Sequence, residues 1–170
     1  MKAFTVKENV NFKRGDSPVK GMGLGGRTRI EKFFNEKYLR DLGRPGASHQ
    51  ERHYEITDDE NLSVSFQGDL ILKGEDVPWL PGYLTISGSL LLENSTITKL
   101  PLGLHVEKNL DLNGTSVKSV PDDLYVGRDL WIRNTDITAL PEGITVKGNI
   151  WASKGQVIHR SIRANNIFVK

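Results

Sequence analysis

The chain has 170 residues and a formal net charge of +2, which leaves room for one domain and a cap. It contains no cysteine, so disulfides, thiolate zinc sites and cysteine nucleophiles are excluded, and the composition fits a reducing cytoplasm. Charges run through residues 1–10 and no apolar stretch approaches the ~20 residues that span a bilayer, so a soluble, cytoplasmic protein without a membrane partner is expected.

The modest net charge hides an asymmetry. Residues 1–50 hold 11 Lys/Arg against 5 Asp/Glu, a net of +6, whereas residues 51–170 hold 12 against 16, a net of −4. This basic leader points toward an anionic partner. Within it, Gly21-Met22-Gly23-Leu24-Gly25-Gly26 satisfies the G-x-G-x-x-G spacing of a phosphate loop. No apolar strand feeds it and no βαβ unit comes after it, so it reads as a glycine turn. A helix is predicted over residues 28–42. Thr28 and Glu31 have capping-box spacing, Ile30, Phe33, Phe34, Leu39 and Leu42 form an imperfect apolar stripe, and Gly43 and Pro45 stop it. With Phe4, Val6 and Phe12, this helix is expected to cover the first coil of the repeat region, near Leu62, Val64 and Phe66. Residues 44–52 read as a linker.

From Leu62 to Val157 a twenty-residue period holds without insertion. Leu80-Pro81, Leu100-Pro101, Val120-Pro121 and Leu140-Pro141 mark one corner, where proline's fixed φ and missing N–H suit a bend better than a ladder. Leu84, Leu104, Leu124 and Ile144 make one apolar column, and Ile86, Val106, Val126 and Val146 the next. Leu70, Leu90, Leu110, Leu130 and Ile150 continue the set, beside Leu72, Leu92, Leu112 and Ile132; Val77, Ile97, Val117, Ile137 and Val157 close the turn. Apolar residues two apart have strand periodicity, and strands this short bury an apolar face only by stacking. The expected class is therefore mostly β: about five coils with parallel strands ~4.8 Å apart and an N-terminal helical cap. The domains are a leader of residues 1–50 and a solenoid of residues 51–170. Residues 157–170, with Ile162, Ile167 and Val169, are read as its closing cap.

The stretches Leu110-Asp111-Leu112-Asn113-Gly114-Thr115-Ser116-Val117 and Leu130-Trp131-Ile132-Arg133-Asn134-Thr135-Asp136-Ile137 resemble the leucine-rich repeat core L-x-L-x-x-N-x-L, and Leu140-Pro141 after the second is similar to the short bacterial subtype. The family's buried Asn is replaced here by Ser95, Thr115 and Thr135, whose hydroxyls make fewer backbone bonds than a carboxamide. Two architectures remain open: a regular horseshoe, and a flatter β-solenoid with two short strands per coil. The leader stretch Phe12-Lys13-Arg14-Gly15-Asp16-Ser17-Pro18, then Lys20, Gly23 and Gly25, with Tyr54-Glu55-Ile56-Thr57-Asp58-Asp59, is similar to the opening of small tailed-bacteriophage proteins that carry repeat tails of variable length. That resemblance implies an infected bacterial host as the setting.

Chemical motifs are weak. His49 and His53 have the spacing of a metal pair but lie in the linker without a third ligand. Asp58-Asp59-Glu60 lacks the glycine-punctuated alternation of a calcium loop. Arg14-Gly15-Asp16 reads as a turn, and no serine sits in a G-x-S-x-G setting. The expectation is a non-catalytic protein with no metal, cofactor or small-molecule substrate.

Alternation that puts Leu90 and Leu92 inward puts position 91 outward. The outward column reads Ile71, Leu91, Asp111, Trp131, Trp151, and Phe168 continues it if the last coil is three residues short. The neighbouring column is Lys73, Glu93, Asn113, Arg133, Ser153; on the preceding strand it is Thr85, His105, Tyr125, Thr145. Trp131, Trp151, Arg133, Tyr125, Leu91 and Asp111 are the expected protein-binding residues, with Glu93 adding polarity, because Trp, Tyr and Arg dominate interface hot spots. The competing reading covers the tryptophans with residues 157–170 or the leader. The alternative function is nucleic-acid binding through Lys13, Arg14, Lys20, Arg27, Arg29 and Lys32 as phosphate contacts. End-to-end assembly is a third option. The expected partner is a bacterial host protein that is engaged or inhibited.

Overall fold

The computed structural model describes residues 23–37, 54–58 and 63–170. Helix α1 (Gly23–Lys37) is followed by β1 (Tyr54–Asp58), β2 (Ser63–Phe66) and β3 (Leu70–Ile71). Each further coil then contributes two short strands. These are β4 (Leu84–Ile86) and β5 (Leu90–Leu91), β6 (His105–Val106) and β7 (Leu110–Asp111), and β8 (Tyr125–Val126) and β9 (Leu130–Trp131). The chain closes with β10 (Ala139–Leu140), β11 (Thr145–Val146), β12 (Ile150–Ala152), β13 (Val157–Ile158) and β14 (Ile167–Val169).

The strands form two six-stranded sheets, ordered β1-β2-β4-β6-β8-β11 and β14-β12-β9-β7-β5-β3, while β10 and β13 pair separately. Every pairing is parallel except β1 with β2. This is a β-solenoid of about five turns. Two strands per coil is the flatter of the two architectures the repeat left open. The register keeps the twenty-residue step: His105 pairs with Tyr125 and Tyr125 with Thr145, and Leu90 with Leu110 and Leu110 with Leu130. The shorter steps both fall at the C-terminal end, where Ala139 pairs with Val157 and Trp151 with Phe168.

The inward columns from Leu70 to Ile150 and from Leu84 to Val146 are buried, as are Val77, Ile97, Val117 and Ile137. Val157, expected to extend that last column, is instead exposed, because β13 pairs with β10 two residues short of the twenty-residue step and so sets Val157 beside the outward Ala139. After each strand of the second sheet the chain must bend sharply. Gly74, Asn94, Gly114 and Asn134 all take positive φ there, and glycine and asparagine are the residue types that tolerate it. At Gly127 the constraint is proximity: an added Cβ would run into the Glu107 carbonyl of the coil below.

The hydroxyls at the bend after the second-sheet strands cap backbone carbonyls in two of the coils. Thr115 and Thr135 donate to the Leu112 and Ile132 carbonyls at 2.7 and 2.8 Å, whereas the buried Ser95 hydroxyl has no partner. A second polar column runs beside the apolar ones and is not evident from their period. Asp69 accepts from the Ser89 amide at 2.6 Å, Asn109 from the Asp129 amide at 3.3 Å, and Asp129 from the Asn149 amide at 2.7 Å. Asn166 then donates to Asn149 at 2.9 Å. These side chains satisfy backbone donors at a corner where the sheets do not.

Helix α1 begins five residues earlier than the capping box suggests, so Thr28 lies inside it. Gly23–Gly26 belong to its opening turn, which removes the loop a phosphate motif requires. What holds the helix is tertiary: Ile30, Phe33 and Phe34 are buried, and packing of this kind overrides poor local propensity. Phe34 stacks on Tyr54 at 4.4 Å and on Phe66 at 5.6 Å, and Phe33 meets Trp79 at 5.2 Å. Phe4, Val6, Phe12, Leu39, Leu42, Leu62, His49 and His53 lie outside the described residues. No helix among the described residues is long and apolar enough to cross a membrane.

Candidate functional site

The second sheet carries the outward row that the alternation marks. Ile71, Leu91, Asp111, Trp131, Trp151 and Phe168 occupy consecutive ladder positions. Ile71 and Phe168 at its ends are exposed, while the four between are half-buried. The next row holds Lys73 and Glu93, paired at 2.9 Å, then Asn113, Arg133 and Ser153.

Trp151 is the centre of a stack. The Arg133 guanidinium carbon lies 4.9 Å from its ring centroid, and the Phe168 ring lies 4.1 Å away at 17°. Arg133 belongs to the coil before Trp151 and Phe168 to the coil after it, so the indole is held between a cation and an aromatic ring. The expected cover of the tryptophans by the C-terminal segment is thus partial. The C-terminal segment covers one face of Trp151 with Phe168, yet both tryptophans keep part of their surface in solvent.

Backbone amides anchor the polar members of the row. Asp111 Oδ1 accepts the Asn113 amide at 3.0 Å, and Asn113 Oδ1 accepts the Arg133 amide at 2.9 Å. Burial pushes the Asp111 carboxyl above the usual carboxylate range; the Asn113 amide opposes that shift, and nearby Glu93 adds to it. Three donors in the stack lack acceptors: Arg133 Nε and Nη2 and Trp151 Nε1 are buried and make no hydrogen bond. Nε and Nη2 form one side of the guanidinium fork, the geometry that receives a carboxylate or carbonyl oxygen.

Tyr125 does not join this group. It sits in the first sheet and stacks on His105 at 4.1 Å and 8°, and His105 in turn meets Glu107 at 2.9 Å. Sequence spacing set it six residues from Trp131, but the corner between β8 and β9 turns those six residues onto different sheets. In the leader, Lys13, Arg14 and Lys20 lie outside the described residues. Arg27 approaches Glu31 at 3.5 Å, Arg29 lies 4.6 Å from the Trp79 ring centroid, and Lys32 is exposed. Arg27 and Arg29 are therefore engaged within the protein. Phe168 is recognisable in the sequence only as a continuation of the row; its role as a stacking partner depends on the three-residue shortening of the last coil. No cluster of His, Asp or Glu able to hold a metal occurs among the described residues. Comparison with known proteins found no matching family model, curated protein or solved structure.

Proposed function

We propose that the protein is a non-catalytic binding module that engages another protein through the outward row of the second sheet. The observation that carries this reading is the row of half-buried aromatic and apolar side chains on one sheet face, with Arg133 and Phe168 stacked on either side of Trp151. Trp and Arg are also the residue types in which interface energy concentrates. Trp131, Trp151 and Arg133 form the centre, with Leu91 and Asp111 extending it; Tyr125 marks a separate position on the other sheet.

The similarity of the coils to leucine-rich repeats favours recognition along a strand face. The similarity of the leader to small phage proteins supports a bacterial host protein as the partner, held or inhibited by binding. Affinity capture from host lysate tests this directly. The double variant Trp131→Ala/Trp151→Ala is expected to lose the partner that the wild type retains; an identical set of captured proteins would end the proposal for this face.

A further inference from the structure

The two sheets end differently at the C-terminal side. β14 is the last strand of the second sheet, and among the described residues nothing pairs with its outer edge. Ile150 donates to the Asn166 carbonyl, Lys170 donates to the Ala152 carbonyl, and Lys154 donates to the Lys170 carbonyl. In a parallel ladder such bonds alternate sides, so the N–H and C=O groups of Ile167 and Val169 point away from β12. Their side chains continue the core columns of Ile150 and Ala152, yet they are 45% and 49% exposed, with no further coil over them among the described residues. Phe168 is 38% exposed, with Trp151 stacked against one face.

The surroundings are cationic. Residues 143–170 contain five Lys/Arg (Lys147, Lys154, Arg160, Arg163 and Lys170) and no Asp or Glu. Beside Asn165, where the chain enters β14, a shallow depression of about 410 Å³ is lined by Lys147 and Arg163. An open edge that combines unpaired peptide groups with apolar side chains is a template for another strand.

We propose that the β14 edge binds an extended acidic peptide segment of a partner protein as an added strand, placing an aromatic or branched apolar side chain on Phe168 and its acidic residues near Arg163 and Lys170. Charge selects this occupant over the others. Two copies meeting tail to tail would bring ten like charges together, twice the five of one end. A copy arriving head first would meet α1 over the first coil. The protein's own leader, at +6, is repelled by the same cations. This edge shares Phe168 with the end of the outward row but does not involve Trp131, and the proposal stands whether or not the centre of that row is a binding site.

The test uses the full chain and a fluorescein-labelled synthetic peptide with an isoleucine-tyrosine-valine centre flanked by aspartate and glutamate. Anisotropy should show saturable binding, absent for the same centre flanked by lysines. Val169→Pro removes an outward N–H without touching the bonds to β12, and should weaken binding by roughly tenfold with an unchanged circular dichroism spectrum. Arg163→Glu/Lys170→Glu should weaken it similarly and decides the matter if Val169→Pro misfolds. Trp131→Ala should leave peptide binding intact, which separates this edge from the proposed face. The proposal is overturned if the acidic peptide fails to bind, if the basic one binds equally, or if neither edge nor charge variant weakens binding. Sedimentation of the free protein as an oligomer would give the edge to a second copy and overturn it. Stronger competition by a single-stranded oligonucleotide of equal charge would do the same in favour of phosphate.

Discussion

The two ends of the solenoid solve the same physical problem with different materials. A stack of coils exposes an apolar cross-section and open strand edges at each end, and both invite association. At the N-terminal end, β1 runs antiparallel to β2 and ends that sheet's parallel ladder. Helix α1 lays Ile30, Phe33 and Phe34 over the first coil, against Tyr54, Phe66 and Trp79. This end is closed by aromatic burial. At the C-terminal end Ile162 is buried and Ala164 packs against the core, but Ile167 and Val169, also expected to close the stack, are exposed. Closure there is mostly polar. Gln156 donates to the Ile132 carbonyl at 3.0 Å, to Thr135 at 3.1 Å and to the Ile137 carbonyl at 2.9 Å, and it accepts the Ser153 amide at 2.8 Å. The second sheet has a terminal strand at each end, β3 and β14, so the ends differ in their apolar cross-section: aromatic rings bury it at the first, whereas Ile167 and Val169 stay exposed at the last.

If that contrast is right, damage to the aromatic end should cost most. Phe34→Ala removes a ring that is 1% exposed and stacked on two others, and is expected to destabilise by about 3–5 kcal/mol in urea unfolding. Gln156→Ala leaves the Ser153 amide and two carbonyls without this partner, at about 1–3 kcal/mol by the same measurement. A larger loss for Gln156→Ala than for Phe34→Ala would reverse the assignment of the stabilising end.

The smallest effect sharpens the ground between the ends. Because the Asp111 carboxyl has a raised pKa when folded, its ionisation opposes folding. Its contribution therefore weakens as pH rises from the ordinary carboxylate range through the raised value. Asp111→Asn should flatten that part of the stability profile and raise stability at neutral pH by roughly a few tenths of a kcal/mol, since the side chain is only half-buried and solvent screens it. Urea midpoints for both proteins across the carboxylate range check the sign. A steeper fall in Asp111→Asn would show that the neighbouring Lys73, and not burial, governs the site.

Much of this architecture was legible in particular residues. Leu90, Leu110 and Leu130 announced the rungs, and the alternation around them placed Trp131 and Trp151 side by side on the outward face. Even the shortened last coil was readable from Ile167 and Val169 standing in for Ile150 and Ala152. The polar column of Asp69, Ser89, Asn109, Asp129 and Asn149 had the same period but was not legible, because polar residues at one position attract no notice until their backbone partners are known. The start of α1 was misplaced because a capping box is a local signal, whereas the helix is held by rings from residues 54–79.

By itself, the sequence determined the coil length, the strand register and which residues point inward, because a strict period leaves stacked apolar columns only one alignment. Tertiary structure decided what the columns could not express. The bend after each β4-type strand assigns the two strands of a coil to separate sheets, which sends Tyr125 to His105 and leaves Arg133 with Trp151. It also decided that aromatic rings of α1 bury the apolar cross-section at one end while Ile167 and Val169 stay exposed along β14 at the other, since burial of a terminal coil depends on what packs over it, not on its own residues.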